Sequence, residues 1–419
     1  MMRITIAEAG PAGNVGSMAL IENAIHIVRR KYPDCEITVL CADPLSVREA
    51  LNKDNLTGNI KVINDLFIFP HRNSLQKICW LIRSVTWILY TRILFLFFDK
   101  SIPRVLWGRK RKVLEEIAKS DYVYCIGAER INDVYFKTAL FSLYALGTYI
   151  RMGKKLVHLS LTIGPVWHKT TIAVARHILD RSYAIFVRDQ KSYNILRQWG
   201  CKSSHIFNVY DIAIFQKTNP VLESNLLNEF GIESGFIGVS VIDWLFHNAK
   251  GPARMPEYNK VHADILDYII EKYEKRIVFI PTVVGANYKV HDNEAAKPIV
   301  KLMKNKDKVV SIERRMTPIE LATLFSSCQF SIVTRMHAAI LCSSAGMKPV
   351  IAVNYLYKLR EYMKNIGFED YSVDIDYVDT DKMKGMVDAM FENYEENRYR
   401  LNCRIEAMKC VLSEKLEEI

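Results

Sequence analysis

The 419-residue chain contains nine cysteines, and none of them forms a Cys-x-x-Cys pair. Without such pairs neither a zinc site nor a disulfide framework is indicated, and scattered cysteines fit a reducing cytosol. The sequence also lacks internal repeats and low-complexity stretches. The N-terminal residues show no signal-peptide pattern and instead predict a first strand. Half of the residues are apolar and a quarter are charged, which is typical of a globular protein.

The two best-known phosphate-binding glycine loops are missing. The first loop, G-P-A-G-N-V-G-S at residues 10–17, follows a predicted strand and opens a helix. No Gly-Lys-Ser/Thr follows, which excludes a Walker loop, and the strict G-x-G-x-x-G spacing is absent. Backbone N–H groups at Gly13, Asn14 and Gly16 could still approach an anion at the helix N-terminus. A plain tight turn is the commoner explanation for such glycines.

Strands alternate with helices along the whole chain, which predicts parallel sheets. A length of 419 residues favours two domains. We predict an α/β fold of two doubly wound, Rossmann-like domains facing a central cleft, the architecture called GT-B. The predicted segments are an N-terminal domain over residues 1–215, a polar linker over 216–235, a second domain over 236–380, and terminal helices over 381–419 that cross back.

Most of the net charge of +11 is concentrated in one segment. Residues 77–112 contain nine basic residues and one acid, Asp99, and they enclose an apolar run at 78–98. Because this charge lies beside an apolar stretch rather than along a groove-sized surface, nucleic-acid binding is a poor fit. The run is long enough to cross a bilayer.

The apolar run carries two arginines that argue against a membrane span. Arg83 and Arg92 would each cost about 2.5–3.5 kcal/mol near a bilayer centre, and they point to opposite faces of a helix. We therefore predict a peripheral membrane-surface segment, with Trp80, Trp87 and the phenylalanine cluster of the run immersed and residues 104–112 on anionic lipid. A buried helix followed by a solvated basic turn fits the pattern equally well.

Residues 330–367 carry the clearest chemical signal. A short apolar strand delivers Arg335 and His337 to its carboxyl end, and a second apolar strand precedes Lys358. Ligands of open α/β sheets bind outside such strand ends. Polar side chains between an apolar strand and an apolar helix need a buried partner or a ligand, and arginine suits a carboxylate or phosphate. A bound anion would favour a protonated His337. The segment therefore predicts an anion site with a proton donor.

The strand-end loop at residues 126–133, I-G-A-E-R-I-N-D, offers Glu129 and Arg130 as polar groups. Asn132 or Asp133 is suited to capping the next helix, whether or not the loop binds a ligand.

Further strand-end residues have both structural and functional interpretations. His168 begins a helix or binds a ligand, and Arg188 is structural or anion-binding. Asp189 predicts a helix N-cap. His291 and Asp292 leave a strand into a loop, where they contact a substrate or cap the following helix.

Several of these motifs occur together in a fixed order. They are N-x-G at 14–16, the glycine-containing strand end near Gly127, I-G-P at 163–165, V-R-D-x-x-S at 187–192, D-x-A-x-F at 211–215, and R-x-H-A-A-I with G-x-x-P-V-I-A-x-x-Y-x-x-K at 335–358. Over nearly the whole chain this combination resembles the polysaccharide pyruvyl transferase family.

The resemblance implies a GT-B-like fold and transfer of the enolpyruvyl unit of phosphoenolpyruvate onto a sugar. The product would be a cyclic ketal on two hydroxyls, with phosphate released. It implies no essential metal and no cofactor besides the donor. The acceptor would be a bacterial surface polysaccharide or cell-wall glycan precursor, sometimes lipid-linked, which places the protein in the cytoplasm at the inner face of the membrane.

The resemblance also assigns residues to the two substrates. The residues expected to bind phosphoenolpyruvate are Arg335, Arg188, Lys358 and His337. Of these, His337 is expected to protonate the methylene carbon as general acid. The residues expected on the acceptor side are Asn14, Gly16, Glu129, Arg130 and His168.

The sequence departs from the family pattern in its N-terminal half. Ser17 stands where family members commonly have an acid, and the glycine cluster around Gly127 is poorer. Two rival functions are a GT-B glycosyltransferase using a nucleotide sugar and a non-catalytic scaffold in glycan assembly. The glycosyltransferase is disfavoured because the sequence near Arg335 has no pair of glutamates to bind a ribose. The scaffold is disfavoured because Arg335 and His337 are both present.

Overall fold

The structure, a computed structural model, describes residues 1–70, 74–97, 106, 108–127, 129–244, 254–285 and 291–419. Part of the predicted lipid contact, residues 104, 105 and 107, therefore lies outside the described residues. The chain divides into two units: unit 1 comprises Met1–Ala12, Leu20–Ile212 and Lys415–Ile419, and unit 2 comprises Gly13–Ala19 and Ala213–Glu414.

Unit 1 is built on a parallel sheet. Its strands in the described part of the chain are β1 (Arg3–Ala9), β2 (Glu36–Cys41), β3 (Ile60–Asn64), β4 (Tyr122–Cys125), β5 (Lys155–Leu161), β6 (Ala184–Val187) and β7 (Ile206–Asn208). They lie in the order β3-β2-β1-β4-β5-β6-β7, so the chain reverses direction across the sheet between β1 and β4. The central strands are almost entirely buried, as expected for a sheet covered on both faces.

Helices flank this sheet. They are α1 (Val15–Lys31), α2 (Pro44–Lys53), α3 (Ser74–Phe97), α4 (Gly108–Lys119), α5 (Phe136–Arg151), α6 (Lys169–Leu179) and α7 (Gln190–Gln198). Apolar residues of α4 and α5 contribute to the hydrophobic core beside the strands. The predicted N-cap of α7 is confirmed, because the Asp189 carboxylate accepts from the Ser192 backbone N–H at 2.7 Å.

The predicted immersion of Trp80 and Trp87 is wrong, because both rings contact groups of unit 1, whereas membrane association itself stays a prediction. Trp80 packs against Phe141 of α5, with ring centroids 4.7 Å apart. Lys110 Nζ lies 4.4 Å from the Trp87 ring centroid, and burial together with Arg109 lowers the pKa of Lys110 to about 8. Arg109 donates to backbone carbonyls after β3. Both tryptophans and the start of α4 therefore face the unit.

Unit 2 repeats the architecture. Its strands among the described residues are β8 (Ile237–Ser240), β9 (Ile277–Phe279), β10 (Val309–Ser311), β11 (Ser331–Val333), β12 (Val350–Asn354) and β13 (Ser372–Asp374). They are parallel and lie in the order β10-β9-β8-β11-β12-β13, with the reversal between β8 and β11. Val333 of β11 pairs with Ser240 of β8 and Ala352 of β12, so these strands end at nearly the same level.

The helices of unit 2 correct one prediction. They are α8 (Pro220–Phe230), α9 (Arg254–Tyr273), α10 (Asp292–Leu302), α11 (Pro318–Ser326), α12 (Met336–Ile340), α13 (Tyr357–Ile366), α14 (Thr380–Glu392) and α15 (Tyr394–Glu417). The expected linker at 216–235 contains α8, capped by the Asn219 side chain and closed by Gly231 in the left-handed conformation. The predicted terminal helices are α14 and α15, and Lys415–Ile419 belong to unit 1.

Candidate active site

The two basic residues after β11 lie at the point of unit 2 where the strand order reverses. Arg335 and His337 follow β11, which neighbours β8 across that reversal. In an open parallel sheet the strands on either side of this point diverge into opposite crossovers and leave a crevice for a ligand. Arg335 and His337 therefore lie where this fold offers a ligand crevice, and an anion as its occupant stays a prediction.

A buried carboxylate fixes the guanidinium of Arg335. Asp292 Oδ1 accepts from Arg335 Nε at 3.1 Å and Nη2 at 2.5 Å. Asp292 Oδ2 accepts from the Thr282 N–H at 3.0 Å, the Thr282 hydroxyl at 2.8 Å and the Val283 N–H at 2.9 Å. The Asp292 side chain is 1% exposed and that of Arg335 is 20% exposed. Asp292 thus positions Arg335, a third role beside the two that the sequence suggested.

The same contacts keep Arg335 charged. Burial alone would lower the pKa of its guanidinium, but Asp292 and Tyr355 outweigh burial, so the pKa is raised. Arg335 is therefore a fixed cation with a partly exposed edge.

Aromatic residues connect Arg335 to Lys358. Tyr355, directly after β12, interacts with Arg335 and packs edge-on against Trp244, with ring centroids 4.8 Å apart. Lys358 Nζ lies 5.6 Å from the centroid of the same tyrosine ring. The structure therefore brings Lys358 to the same strand ends as Arg335. Trp244 was not predicted as a site residue, since only its place after the apolar strand β8 marks it in the sequence.

The first glycine loop lies against His337. A Cβ atom at Gly16 would come within 2.8 Å of His337 Cβ and would overlap its Nδ1 and Cγ. The loop is held there because the Val15 N–H donates to the Thr282 carbonyl at 2.9 Å. Only glycine leaves room for the imidazole in this position. Gly16 and Asn14, which were predicted on the acceptor side, thus belong to the unit that carries His337.

Arg188 belongs to unit 1, where it forms a buried ion pair. Its Nη1 donates to Asp211 Oδ2 at 2.6 Å and its Nε donates to the Thr162 hydroxyl at 2.5 Å. The two charged side chains are 4% and 2% exposed. Burial opposes the charge on Arg188, but Asp211 and Glu129 outweigh it and raise the pKa of Arg188. The sequence left open whether Arg188 is structural or binds an anion, and this buried ion pair matches the structural interpretation.

His168 sits at the start of α6 beside a buried carboxylate. Asp133 accepts from the backbone N–H groups of Trp167 at 2.6 Å and His168 at 2.7 Å, and from the Thr171 hydroxyl at 2.6 Å. His168 Nδ1 lies 3.1 Å from Asp133 Oδ2. Asn132 caps the short turn before α5, as predicted. His168 is thus anchored through its backbone while its ring is partly exposed.

Glu8 is a candidate site residue that was not predicted from the sequence. It lies at the end of β1, next to β4 across the strand reversal of unit 1, and has a positive φ of 63°. A non-glycine residue in that conformation is costly and occurs often at functional sites. The Glu8 carboxylate accepts from the Ser142 hydroxyl and lies beside Arg130. At Gly127 a Cβ would come within 2.7 Å of Glu8 Cβ and 2.5 Å of Arg130 Cγ, so the three residues pack without space for a further side chain.

The surroundings of Glu8 make its charge costly. Burial raises its pKa from 4.5 to about 7, against the opposing effects of Arg130 and Ser142, and Asp65 adds to the rise. A carboxyl group that titrates near neutral pH at a strand end can exchange a proton with a hydroxyl. The visible sequence signal was a glutamate near the end of a mostly apolar strand.

Glu8 gives the protein a predicted pH dependence. In the unfolded chain the carboxyl ionises near its ordinary pKa, whereas buried Glu8 stays protonated up to about pH 7. Folding stability therefore falls as the pH rises from about 5 to 8, by up to about 3 kcal/mol for this shift. Urea unfolding at both pH values should show wild type losing this amount relative to Glu8→Gln. Parallel pH profiles would contradict a buried, titrating Glu8.

Comparison with known proteins agrees with the sequence motifs. The model of the family "Polysaccharide pyruvyl transferase" matches residues 14–357. The amylovoran biosynthesis protein AmsJ of Erwinia amylovora is 21% identical over 409 residues, which cover 94% of this chain and 93% of AmsJ.

Solved structures show the fold. UDP-GlcNAc 2-epimerase from Neisseria meningitidis has a TM-score of 0.59 at 14% identity and full coverage of both chains. The S. aureus MnaA–UDP structure has a TM-score of 0.58 at 12% identity, over 96% of this chain and 90% of that one. These likenesses confirm the predicted GT-B-like class. Because the family match extends over most of the sequence, the chain belongs to the polysaccharide pyruvyl transferase family and is a transferase.

Proposed function

We propose that the protein moves the enolpyruvyl unit of phosphoenolpyruvate onto two hydroxyls of a saccharide during synthesis of a bacterial surface polysaccharide or cell-wall glycan. Membership of the family supports pyruvyl transfer. The name of AmsJ, an amylovoran biosynthesis protein, supports a polysaccharide product. The observation that carries the proposal is the fixed cation Arg335 beside His337 at the strand reversal of unit 2.

The donor fits the charges of this site. Phosphoenolpyruvate carries a carboxylate and a phosphate, both of which suit a guanidinium. Arg335 has five N–H donors, and Asp292 engages two of its nitrogens. The Tyr355 side chain also bonds to the guanidinium, so the N–H groups that remain at its partly exposed edge are the ones left for an anionic group. Lys358 supplies a second cation at the same strand ends.

His337 supplies the proton that starts the reaction. Its transfer to the methylene carbon C3 gives a methyl group and an oxocarbenium-like C2. A sugar hydroxyl adds to C2 and loses its proton, and phosphate leaves with the electrons of its bond to C2. The second hydroxyl then closes the ring. Of the two hydroxyl protons lost, one restores protonated His337 and the other leaves with phosphate.

The acceptor is assigned to unit 1. Arg130 and His168 remain from the sequence prediction, and Glu8 joins them as a group able to relay the hydroxyl proton that leaves with phosphate. A lipid-linked saccharide is the acceptor class we favour, because helix α3 of the same unit exposes an apolar face. We accordingly propose that the enzyme works at the inner surface of the cytoplasmic membrane.

Ligand-dependent stability tests the donor. Phosphoenolpyruvate at about 100 times its Kd should stabilise the protein by about 2.7 kcal/mol, or about 5–10 °C in Tm for a unit of this size. UDP-GlcNAc at the same concentration should leave Tm unchanged. Phosphate release with galactosyl, glucosyl and mannosyl acceptors then identifies the second substrate. Stabilisation by the nucleotide sugar but not by phosphoenolpyruvate would overturn the proposal.

A further inference from the structure

Helix α3 exposes a continuous apolar face. The side chains of Ile78, Ile82, Leu89, Ile93 and Leu96 are between 55% and 73% exposed. By length and composition the helix could cross a membrane, with a mean hydropathy of 1.4 over its most apolar window, of which only 17% is buried in the unit. Such a surface is far more apolar than a soluble protein ordinarily leaves in water.

The opposite face of α3 is fixed to unit 1. Ser84, Thr91 and Phe95 are buried, and the Thr91 hydroxyl is 2.7 Å from the Tyr144 hydroxyl of α5. Arg151 of α5 donates to a backbone carbonyl of α3. Because these contacts are distributed along the helix, α3 would have to lose its contacts with α5 in order to span a bilayer. The helix can instead lie along a surface with its apolar face outward.

The two arginines of α3 border that face. At 100° per residue, Ile82 and Ile93 lie within about 20° of each other and define the centre of the exposed stripe. Arg83 and Arg92 then lie about 90° from this centre on opposite sides, and both are exposed. In the sequence their opposite directions argue against a membrane span. In the structure they form two rims, from which long side chains can reach headgroups.

We propose that α3 docks unit 1 onto an anionic lipid surface, with the Ile82–Ile93 stripe among the acyl chains and Arg83 and Arg92 at the phosphates. Residues 74–97 contain no acid. Pairing of this face with a second copy would therefore bring like charges together with no carboxylate on the helix to neutralise them. An anionic bilayer surface supplies acyl chains for the apolar stripe and phosphates for the two arginines. This docking does not depend on the proposed reaction.

Vesicle sedimentation of the full chain tests the proposal. Wild type should bind phosphatidylcholine vesicles that contain phosphatidylglycerol, more weakly as salt is raised. Ile82→Glu/Ile93→Glu should lower the partition coefficient at least about tenfold. Leu45→Glu, at a 70% exposed leucine on α2 of the same unit, is the matched control and should bind as wild type does. Arg83→Gln/Arg92→Gln should remove the preference for the anionic lipid.

Three results would overturn the docking proposal. One is equal vesicle binding by wild type and Ile82→Glu/Ile93→Glu. Another is a wild-type dimer that these substitutions convert to monomers, without vesicle binding, which would assign the face to a second copy. The third is resistance to alkaline carbonate extraction, which would indicate a span. Phosphate release with a soluble acceptor should be unchanged in the double variant, so that failure of docking is distinguishable from failure of the proposed reaction.

Discussion

Replacing His337 with glutamine is expected to lower kcat for phosphate release from phosphoenolpyruvate by about 10²–10⁴-fold, the usual contribution of a general acid. Glutamine keeps a polar side chain of similar size but cannot deliver a proton to carbon. Arg335 and Asp292 are untouched, so phosphoenolpyruvate should still raise Tm. Retained donor binding with lost turnover would separate proton delivery from binding.

The position of the imidazole can be tested without changing it. Gly16→Ala places a methyl group where the His337 ring lies, so the ring must move and kcat should fall by at least about tenfold. Gly385→Ala is the matched control, since its Cβ would meet no atom within 4 Å in helix α14 of the same unit. Near wild-type turnover in His337→Gln would show that another group supplies the proton. Full activity in Gly16→Ala would show that the ring position is not critical.

Arg188→Met is expected to destabilise the protein by about 3–5 kcal/mol, because it leaves Asp211 charged and buried without its partner. The predicted readout is the midpoint of urea unfolding. Arg197→Met, at an exposed arginine of α7, should change stability by less than about 0.5 kcal/mol.

A double variant separates pairing from donor binding. Arg188→Met/Asp211→Leu replaces both charges with apolar groups and should recover most of the lost stability. The Kd for phosphoenolpyruvate should stay near the wild-type value in this folded variant. A large rise in Kd with little change in stability would restore Arg188 as a donor-binding residue, as the motif V-R-D-x-x-S first suggested.

Local signals in the sequence were sufficient for the elements of the fold. Thr317, Pro318 and Glu320 predict the capping box that begins α11, and apolar runs predict the strands. The same kind of signal was present and overlooked at Asn219, Pro220 and Gly231, where a polar helix was interpreted as a linker. A short amphipathic helix with few apolar residues is difficult to distinguish from a loop by periodicity.

Side-chain partners distant in sequence could not be predicted in the same way. Arg335 and Arg188 both end apolar strands, yet one faces Asp292 on a partly exposed edge and the other is enclosed with Asp211. Which arginine keeps an exposed edge depends on strand order, which no local pattern specifies. Glu8 was missed for a related reason, since its proximity to Arg130 exists only once β1 and β4 are adjacent.

The loop after β9 has a consequence for attempts to change what this enzyme modifies. On one side of this loop, the Asp292 carboxylate accepts hydrogen bonds from the loop's backbone N–H groups. On the other side, the segment Gly13–Ala19 is hydrogen-bonded to the loop backbone and packs on His337. The first glycine loop is a natural target for mutagenesis aimed at a new sugar. If His337 and Arg335 act as proposed, libraries in that loop will instead alter proton delivery and donor affinity together, because displacement of the loop is transmitted to both groups. Selection for new acceptors is better directed at the surroundings of Glu8.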